Sequence, residues 1–457
     1  MKKTITLFFA ICCIGSYSNL NAQANIITTV AGTGTIGYNG DNIQATTAEL
    51  SFPYGVCLDA YNNMYIAEWG NHRVRKVDAA TGIITTIAGT GLITGSIGDG
   101  GPATSALIQG PYDIRVDAGG NVFFVDANKN RVRKIDPSGT ISTLAGDTAG
   151  FSGDGGPATS AILNYPTGII LDASGNIYIA DQYNNRIRKI TVATGIITTV
   201  VGTGTAGYTG DGAAASSARI SAPDRIALDA AGDLYISDAG NNVIRKVTMS
   251  TGIITTVVGT GSVGYSGDGG AATSATLSDP SGIVFDASGN MYIADASNNV
   301  IREVVKSTGL ITTLAGNHTQ GYSGNGGPAL SAEFFHPLSM AIYNNTGDML
   351  IDDDENWVIR KVTAPLAVND LSSSNTEVSV YPNPAKDVLY ISLNKNVNAG
   401  SIIAIYNLLG KEVMVENVKA SAQNISLNTS SLSEGIYLIK LVSPDGSQAV
   451  KKFEVVR

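Results

Sequence analysis

The stretch from Ile254 to Val304 reads ITTVVGTGSVGYSGDGGAATSATLSDPSGIVFDASGNMYIADASNNVIREV, and nearly all of it recurs along the chain. Its opening segment, Ile-(Thr/Ser)-Thr-apolar-(Ala/Val)-Gly, begins at Ile27, Ile84, Ile141, Ile197, Ile254 and Ile311, in steps of 57, 57, 56, 57 and 57 residues. Copies at one spacing specify copies of one structural unit. Each copy holds a short apolar run such as SGIVFD (281–286), an Asp-Ala-Ser-Gly-Asn turn, a second run MYIAD (291–295), an alternating segment NVIREV (299–304) and the next Ile-Thr-Thr segment. Runs of this length rich in Val, Ile, Thr and Tyr, punctuated by Gly, Asn and Asp, are strands and hairpin turns. The unit is a four-stranded antiparallel meander.

A lone four-stranded sheet cannot bury both faces, so the copies must stack on one another. The ends of the array decide how. The first Ile-Thr-Thr strand, 26–32, has no three strands before it, and the last three strands, 337–362, have no such strand after them. All sheets are completed only if the two ends pair, which predicts an all-β, six-bladed β-propeller closed by its N-terminal strand, with no free edge.

The quoted segments resemble the NHL-repeat propellers of secreted bacterial proteins. The likeness rests on PYGVCLD (53–59), MYIAE (64–68) and NHRVRKV (71–77), repeated as PTGIILD (166–172), IYIAD (177–181) and NRIRKI (185–190), and it covers about 25–363. Such propellers serve as sensors, binding platforms and occasionally enzymes, so the resemblance implies a fold and leaves the activity open.

At the N-terminus, Lys2 and Lys3 precede an apolar run from Ile5 to Ile14, and Ala22-Gln23-Ala24 offers a cleavage site, the pattern of an export signal over residues 1–24. The run is too short to span a bilayer, which takes about 20 residues. Loss of Lys2 and Lys3 takes the formal charge from −9 to −11, because residues 1–24 contain no acid. An acidic body without a Lys or Arg block argues against nucleic acid or anionic lipid as partner. Of three cysteines two leave with the signal, and Cys57, in an apolar strand, is expected to be a buried, unreactive thiol.

Three features recur closely enough to carry a role. An acid ends the second strand of every copy (Glu68, Asp126, Asp181, Asp238, Asp295, Asp353) and an Arg stands in the third (Arg75, Arg133, Arg188, Arg245, Arg302, Arg360). A catalytic pair is needed once and a structural bridge in every sheet, so these read as structural ion pairs. The long loops carry Gly-Asp-Gly around Asp99, Asp154, Asp211 and Asp268, with Asp41 and Asn325 at the ends of the array. One carboxylate per loop suits a turn better than a calcium site. The same loops hold Tyr38, Phe151, Tyr208, Tyr265 and Tyr322, with Ser96 as the exception, and these rings are expected to pin the loops.

Function is sought where the copies disagree. Beside the proline that opens the first strand, four copies place Gly55, Gly168, Gly282 and Ser339, while two place Asp113 and Arg225. In a propeller that position lies at the mouth of the central channel. Asp113, Arg225 and the neighbouring Tyr54, Tyr112 and Asp224 are the candidate ligand-binding set, with drift at a permissive surface site as the plain alternative. Catalysis has less support: the chain has only His72, His318 and His336, none of which recurs. No catalytic residue, cofactor or metal is assigned. A secreted or surface-displayed binding platform for a glycan, peptide or protein is the first functional reading. A metal-dependent lyase or lactone hydrolase using the channel is the second.

After Val362 the composition shifts to a Pro-, Ser- and Asn-containing linker over 364–376, and from Glu377 a second domain begins. Its short strands 388–393, 401–406 and 435–440 predict a small β-sandwich. VYPNPAKD (380–387), IYNLLGKE (405–412), LSEGIYLIK (432–440) and the terminal KKFEVV (451–456) resemble the C-terminal sorting domains of the type IX secretion system of Bacteroidota. The resemblance implies that the final strands, with Lys451 and Lys452, address the protein to an outer-membrane translocon for release or surface display.

Overall fold

A computed structural model describes residues 25–363, 378–407, 412–442 and 448–457. The expected export signal over 1–24 and the linker over 364–376 lie outside the described residues. The chain divides into two compact units, one running from residue 24 to 364 and one containing the C-terminal residues from 365.

The first unit is all-β and built of repeated four-stranded antiparallel sheets. In chain order, their first strands are Pro53–Leu58, Pro111–Val116, Pro166–Leu171, Pro223–Leu228, Pro280–Phe285 and Pro337–Ile342. The sheet that starts at Pro53 carries an added two-residue strand, Ile43–Gln44, at its outer edge. In the sheet that starts at Pro337 the outer strand is Ile27–Ala31, from the other end of the repeat array, with Ile27 opposite Val362 and Thr29 opposite Arg360. In the Ile-Thr-Thr strands Ile27, Ile84, Ile141, Ile197, Ile254 and Ile311 are wholly buried, while the two residues after each are at least partly exposed. Between sheets, the Pro-Ala-x-Ser-Ala segments form short 3₁₀ turns such as Ala103–Ser105, with Pro102 just ahead of the turn.

Apolar side chains from neighbouring sheets share each core. Ala67, Val74 and Ala88 pack with Ile114, Phe124 and Ile135, and Ala294 and Ile301 pack with Met340 and Ile351. The first strands of consecutive sheets also touch. Thr167 Oγ1 donates to the Asp224 carbonyl at 2.9 Å, Ser281 Oγ to Asp224 Oδ2 at 2.5 Å, and Val56 N–H, in the first sheet, to Ser339 Oγ of the last at 3.2 Å.

The C-terminal unit has a three-stranded sheet ordered Val378–Tyr381, Val388–Val397, Ala422–Asn428, and a four-stranded sheet ordered Glu412–Asn417, Ile402–Asn407, Gly435–Val442, Gln448–Val455. Leu389, Ile391 and Leu427 of the first sheet meet Ile405, Ile439 and Phe453 of the second in one buried core.

Candidate functional site

The repeated acid and arginine meet in every sheet. Register places Ile293 opposite Arg302, two residues from Asp295, and the Arg302 guanidinium reaches Asp295 at 3.3 Å. The other five pairs lie at 3.2 to 3.5 Å, and all twelve side chains are fully buried. Each acid also receives the backbone N–H of the segment entering the first strand, as Asp295 does from Ser278 at 2.7 Å. Burial pushes Asp126, Asp181, Asp238, Asp295 and Asp353 up to about 6 against the pull of these partners.

The loop acids complete these bridges. Asp41, Asp99, Asp154, Asp211 and Asp268 bind the second guanidinium nitrogen of the same five arginines at 2.5 to 2.9 Å. This bond accounts for the Gly-Asp-Gly motif more fully than turn chemistry does, and its signal was present in sequence as a constant separation of 34 residues from acid to Arg. In the last copy Asn325 instead accepts from Thr29, and Arg360 keeps the loop-carbonyl bond made in every copy, to Ser323 at 2.9 Å. Tyr38, Phe151, Tyr208, Tyr265 and Tyr322 each lie 4.8 to 5.2 Å from the guanidinium of their own sheet, so the rings hold their loops by cation–π contact. These three repeated features are therefore consumed by the fold.

The positions where the copies disagree gather where the first strands begin, and all five sequence-selected residues meet there. The Tyr54 and Tyr112 rings are 4.8 Å apart, and the Arg225 guanidinium lies 4.5 Å from the Tyr112 ring centroid. Arg225 donates to the carbonyls of Thr167, Tyr54 and Tyr112, three different sheets from its own. Asp113 accepts from Ile114 N–H and Ile169 N–H, both at 2.9 Å, and from Arg115 at 2.7 Å. Asp224 accepts from Ser281. Asp113, Asp224 and Arg225 are buried, at 0%, 5% and 2% exposure, so the position is not a surface one. Their chemistry is that of a plug: first strands have an inner edge with unpaired backbone groups, and these side chains satisfy it. The copies alternate, Gly55, Gly168 and Gly282 against Asp113, Arg225 and Ser339. A Cβ at Gly55 would lie 2.6 Å from the Tyr112 carbonyl and one at Gly168 equally close to that of Asp224, so only glycine fits beside each side-chain-bearing neighbour.

Sequence reasoning missed the residues that flank this plug. Phe52, Trp69, Tyr165 and Tyr183 extend the Tyr54–Tyr112 pair into a continuous run of rings: Trp69 lies 5.6 Å from Tyr54, Tyr165 6.2 Å from Tyr112, and Tyr183 stacks on Tyr165 at 4.9 Å. Phe52 closes the near end against Trp69 at 6.0 Å. Phe52 and Tyr165 occupy the residue before the strand-opening proline in left-handed conformation, φ 48° and 52°, a position the second copy fills with Gly110. A bulky residue in that region carries a cost that a glycine avoids. That contrast between copies was the available signal.

At the equivalent positions of the last two copies stand Asp279, His336, Asp354 and Glu355. His336 lies 3.7 Å from Asp279 and 3.6 Å from Asp354. Burial disfavours its charged form, but the two carboxylates outweigh burial and push its pKa up to about 10. Burial and then the carboxylate of Asp354 raise Tyr54, and Glu355 adds to the rise. His72 and His318 stand elsewhere: His72 accepts from Gly110 N–H, and His318 stacks on Tyr265 at 4.4 Å. Among the described residues no group of three or more His, Cys, Asp or Glu is arranged to hold a metal. In the C-terminal unit the final strand pairs with Gly435–Val442 along its length, Lys451 opposite Ile439 and Lys452 opposite Leu438, and Lys451 is exposed. No helix among the described residues is long and apolar enough to cross a membrane.

Comparison with known proteins follows the two units. Residues 379–456 match the family "Secretion system C-terminal sorting domain", and residues 146–209 and 261–323 match the "Teneurin NHL domain". The chloroplastic protein SUPPRESSOR OF QUENCHING 1 of Arabidopsis thaliana is 30% identical over 241 residues, covering 50% of this chain and 22% of that protein. Teneurin-3 of Danio rerio is 28% identical over 277 residues, 53% of this chain and 10% of that one. The chain thus spans less than a quarter of these relatives. Among solved structures, an auxiliary nutrient binding protein from Bacteroides thetaiotaomicron superposes with a TM-score of 0.55 at 17% identity, over 75% of this chain and 76% of that one, a likeness of fold. The chain carries NHL repeats, matched over 146–209 and 261–323, and a C-terminal sorting domain of the type IX secretion system over 379–456, which directs it out of the cell or to its surface.

Proposed function

We propose that residues 25–363 form a six-bladed propeller closed by the N-terminal strand, that 364–376 is a linker after a cleaved signal at 1–24, and that 377–457 is a sorting β-sandwich. The pairing of Ile27–Ala31 with Val358–Val362 and the contact of Val56 with Ser339 support closure, and the shared core of the two C-terminal sheets supports the sandwich. The exported propeller is a ligand-binding platform whose ligand docks on the face where the first strands begin. The observation that carries this reading is the mouth itself. The repeated polar features are bound up in structural contacts, while six aromatic rings from three different copies form one run that the repeat does not require. Tyr54, Tyr112, Asp113, Asp224 and Arg225 then form the floor of the site rather than an open channel.

The test uses the full exported protein on glycan and peptide arrays beside its Tyr183→Ala variant. Tyr183 is 60% exposed, so the change leaves the core intact. Ligand retained by the wild type and lost by the variant supports the reading; equal retention places binding elsewhere. Engagement of the secretion translocon is tested separately by deleting residues 441–457, which should hold the protein in the periplasm.

A further inference from the structure

The mouth is chemically two-sided. Four positions in each copy lie at the start of the first strand or just after the second, equivalent to 52, 54, 69 and 70 of the first. Every aromatic residue at them comes from the first three copies: Phe52, Tyr54, Trp69, Tyr112, Tyr165 and Tyr183. Every acid comes from the last three: Asp224, Asp279, Asp354 and Glu355. No Lys or Arg stands at any of these positions, and the one histidine, His336, is held between two of the acids. Two buried carboxylate oxygens there, Asp224 Oδ1 and Asp354 Oδ1, have no donor. Buried acceptors of this kind call for one. The last and first copies adjoin, so Asp354 and Glu355 lie at the Tyr54 end of the aromatic run.

We propose that this mouth binds an extended peptide segment through a Lys or Arg side chain, the cation entering the acidic half while the flanking residues lie along the rings. The inference rests on the binding-platform reading above and names its ligand. Charge complementarity carries it: four acids against one histidine at these positions, beside ring faces, favour a guanidinium or ammonium over a neutral ligand. The protein contains its own precedent, since the Arg225 guanidinium sits 4.5 Å from the Tyr112 ring while donating to backbone carbonyls. The run of rings crosses three sheets, a length suited to about six extended residues at roughly 3.3 Å each.

The test measures fluorescence anisotropy of the full chain with a labelled hexapeptide holding one Arg between leucines, and with its citrulline counterpart. The Arg peptide should bind, weakening as salt rises, and citrulline should bind about tenfold more weakly or worse. Glu355→Gln and Asp279→Asn should each weaken the Arg peptide several-fold without altering the citrulline peptide. Tyr183→Ala should weaken both peptides, and Tyr208→Ala, on an outer loop, neither. Equal binding of the two peptides, or no binding of the Arg peptide, overturns the inference. Binding of a neutral hexasaccharide lost in Tyr183→Ala also overturns it, while keeping the mouth as a binding face; if Tyr183→Ala leaves every ligand bound, both readings fall.

Discussion

Replacing Arg302 by lysine keeps the charge and removes the fork. Arg302 is fully buried and holds Asp295 at 3.3 Å with one nitrogen, and Asp268 at 2.7 Å and the Ser266 carbonyl at 3.0 Å with the other. A lysine ammonium reaches one carboxylate and leaves the second unpaired. Asp268 keeps partial access to water, its side chain being 45% exposed, which tempers the loss. With hydrogen bonds to charged groups contributing about 1.5–3 kcal/mol each, Arg302→Lys should cost about 2–4 kcal/mol. Arg360 supplies an internal control, because Asn325 replaces the loop acid there and Asp353, at 3.2 Å, is its one carboxylate partner. Lysine can still meet Asp353, so Arg360→Lys should cost about 1–2 kcal/mol. An unfolding entropy of about 2.1 cal/mol/K per residue over roughly 340 residues turns these into falls in Tm of about 3–6 °C and about 1–3 °C. Urea unfolding followed by circular dichroism, with unchanged slope, gives the two differences directly. Equal losses in the two variants, or none for Arg302→Lys, would refute the reasoning that the second carboxylate is what makes the fork necessary.

Two further outcomes follow from the site and its surroundings. His336 has a folded pKa raised to about 10 from 6.5, so its stabilising contribution is complete below about pH 6.5 and is lost as pH rises through about 10. The Tm difference between wild type and His336→Gln should accordingly shrink between pH 6 and pH 10.5, and a difference that stays constant would exclude the ion-pair account. Cys57 is buried and its thiol is pushed up to about 12 by burial; it should resist a thiol reagent at pH 8 in the folded protein and react fully in urea, and prompt labelling of the native chain would contradict this placement.

Much of the architecture was legible because six near-identical copies average out local ambiguity. The strands, the hairpin turns and the acid–arginine pairs follow from residue types that recur at fixed places. The role of the loop acids was less visible. Asp268 and Arg302 are 34 residues apart, and only the fold brings the loop back over its own third strand. The candidate site was harder still. The contrast of Asp113 and Arg225 with glycine in sister copies picked out residues that meet in space, but these side chains are buried and bound to backbone. Sequence alone could not say that a charged residue near a channel mouth serves the inner edges of its neighbours. The exposed Tyr183 and the half-buried Tyr165 stood at positions that in single copies look like ordinary loop residues.

The order Gly55, Asp113, Gly168, Arg225, Gly282, Ser339 alternates from copy to copy. Each glycine makes room for the next repeat's backbone, and a Cβ at Gly282 would collide with the Leu338 carbonyl. Adjacent repeats are therefore unlike at this position, although they share the same pattern of strands and ion pairs. Loss or duplication of a single repeat would bring two glycines, or two occupied positions, side by side and break the match of glycine to neighbouring backbone. Gain or loss of two keeps the parity. Genes for such arrays should accordingly change length in pairs of repeats, a signature readable in the number of repeats alone.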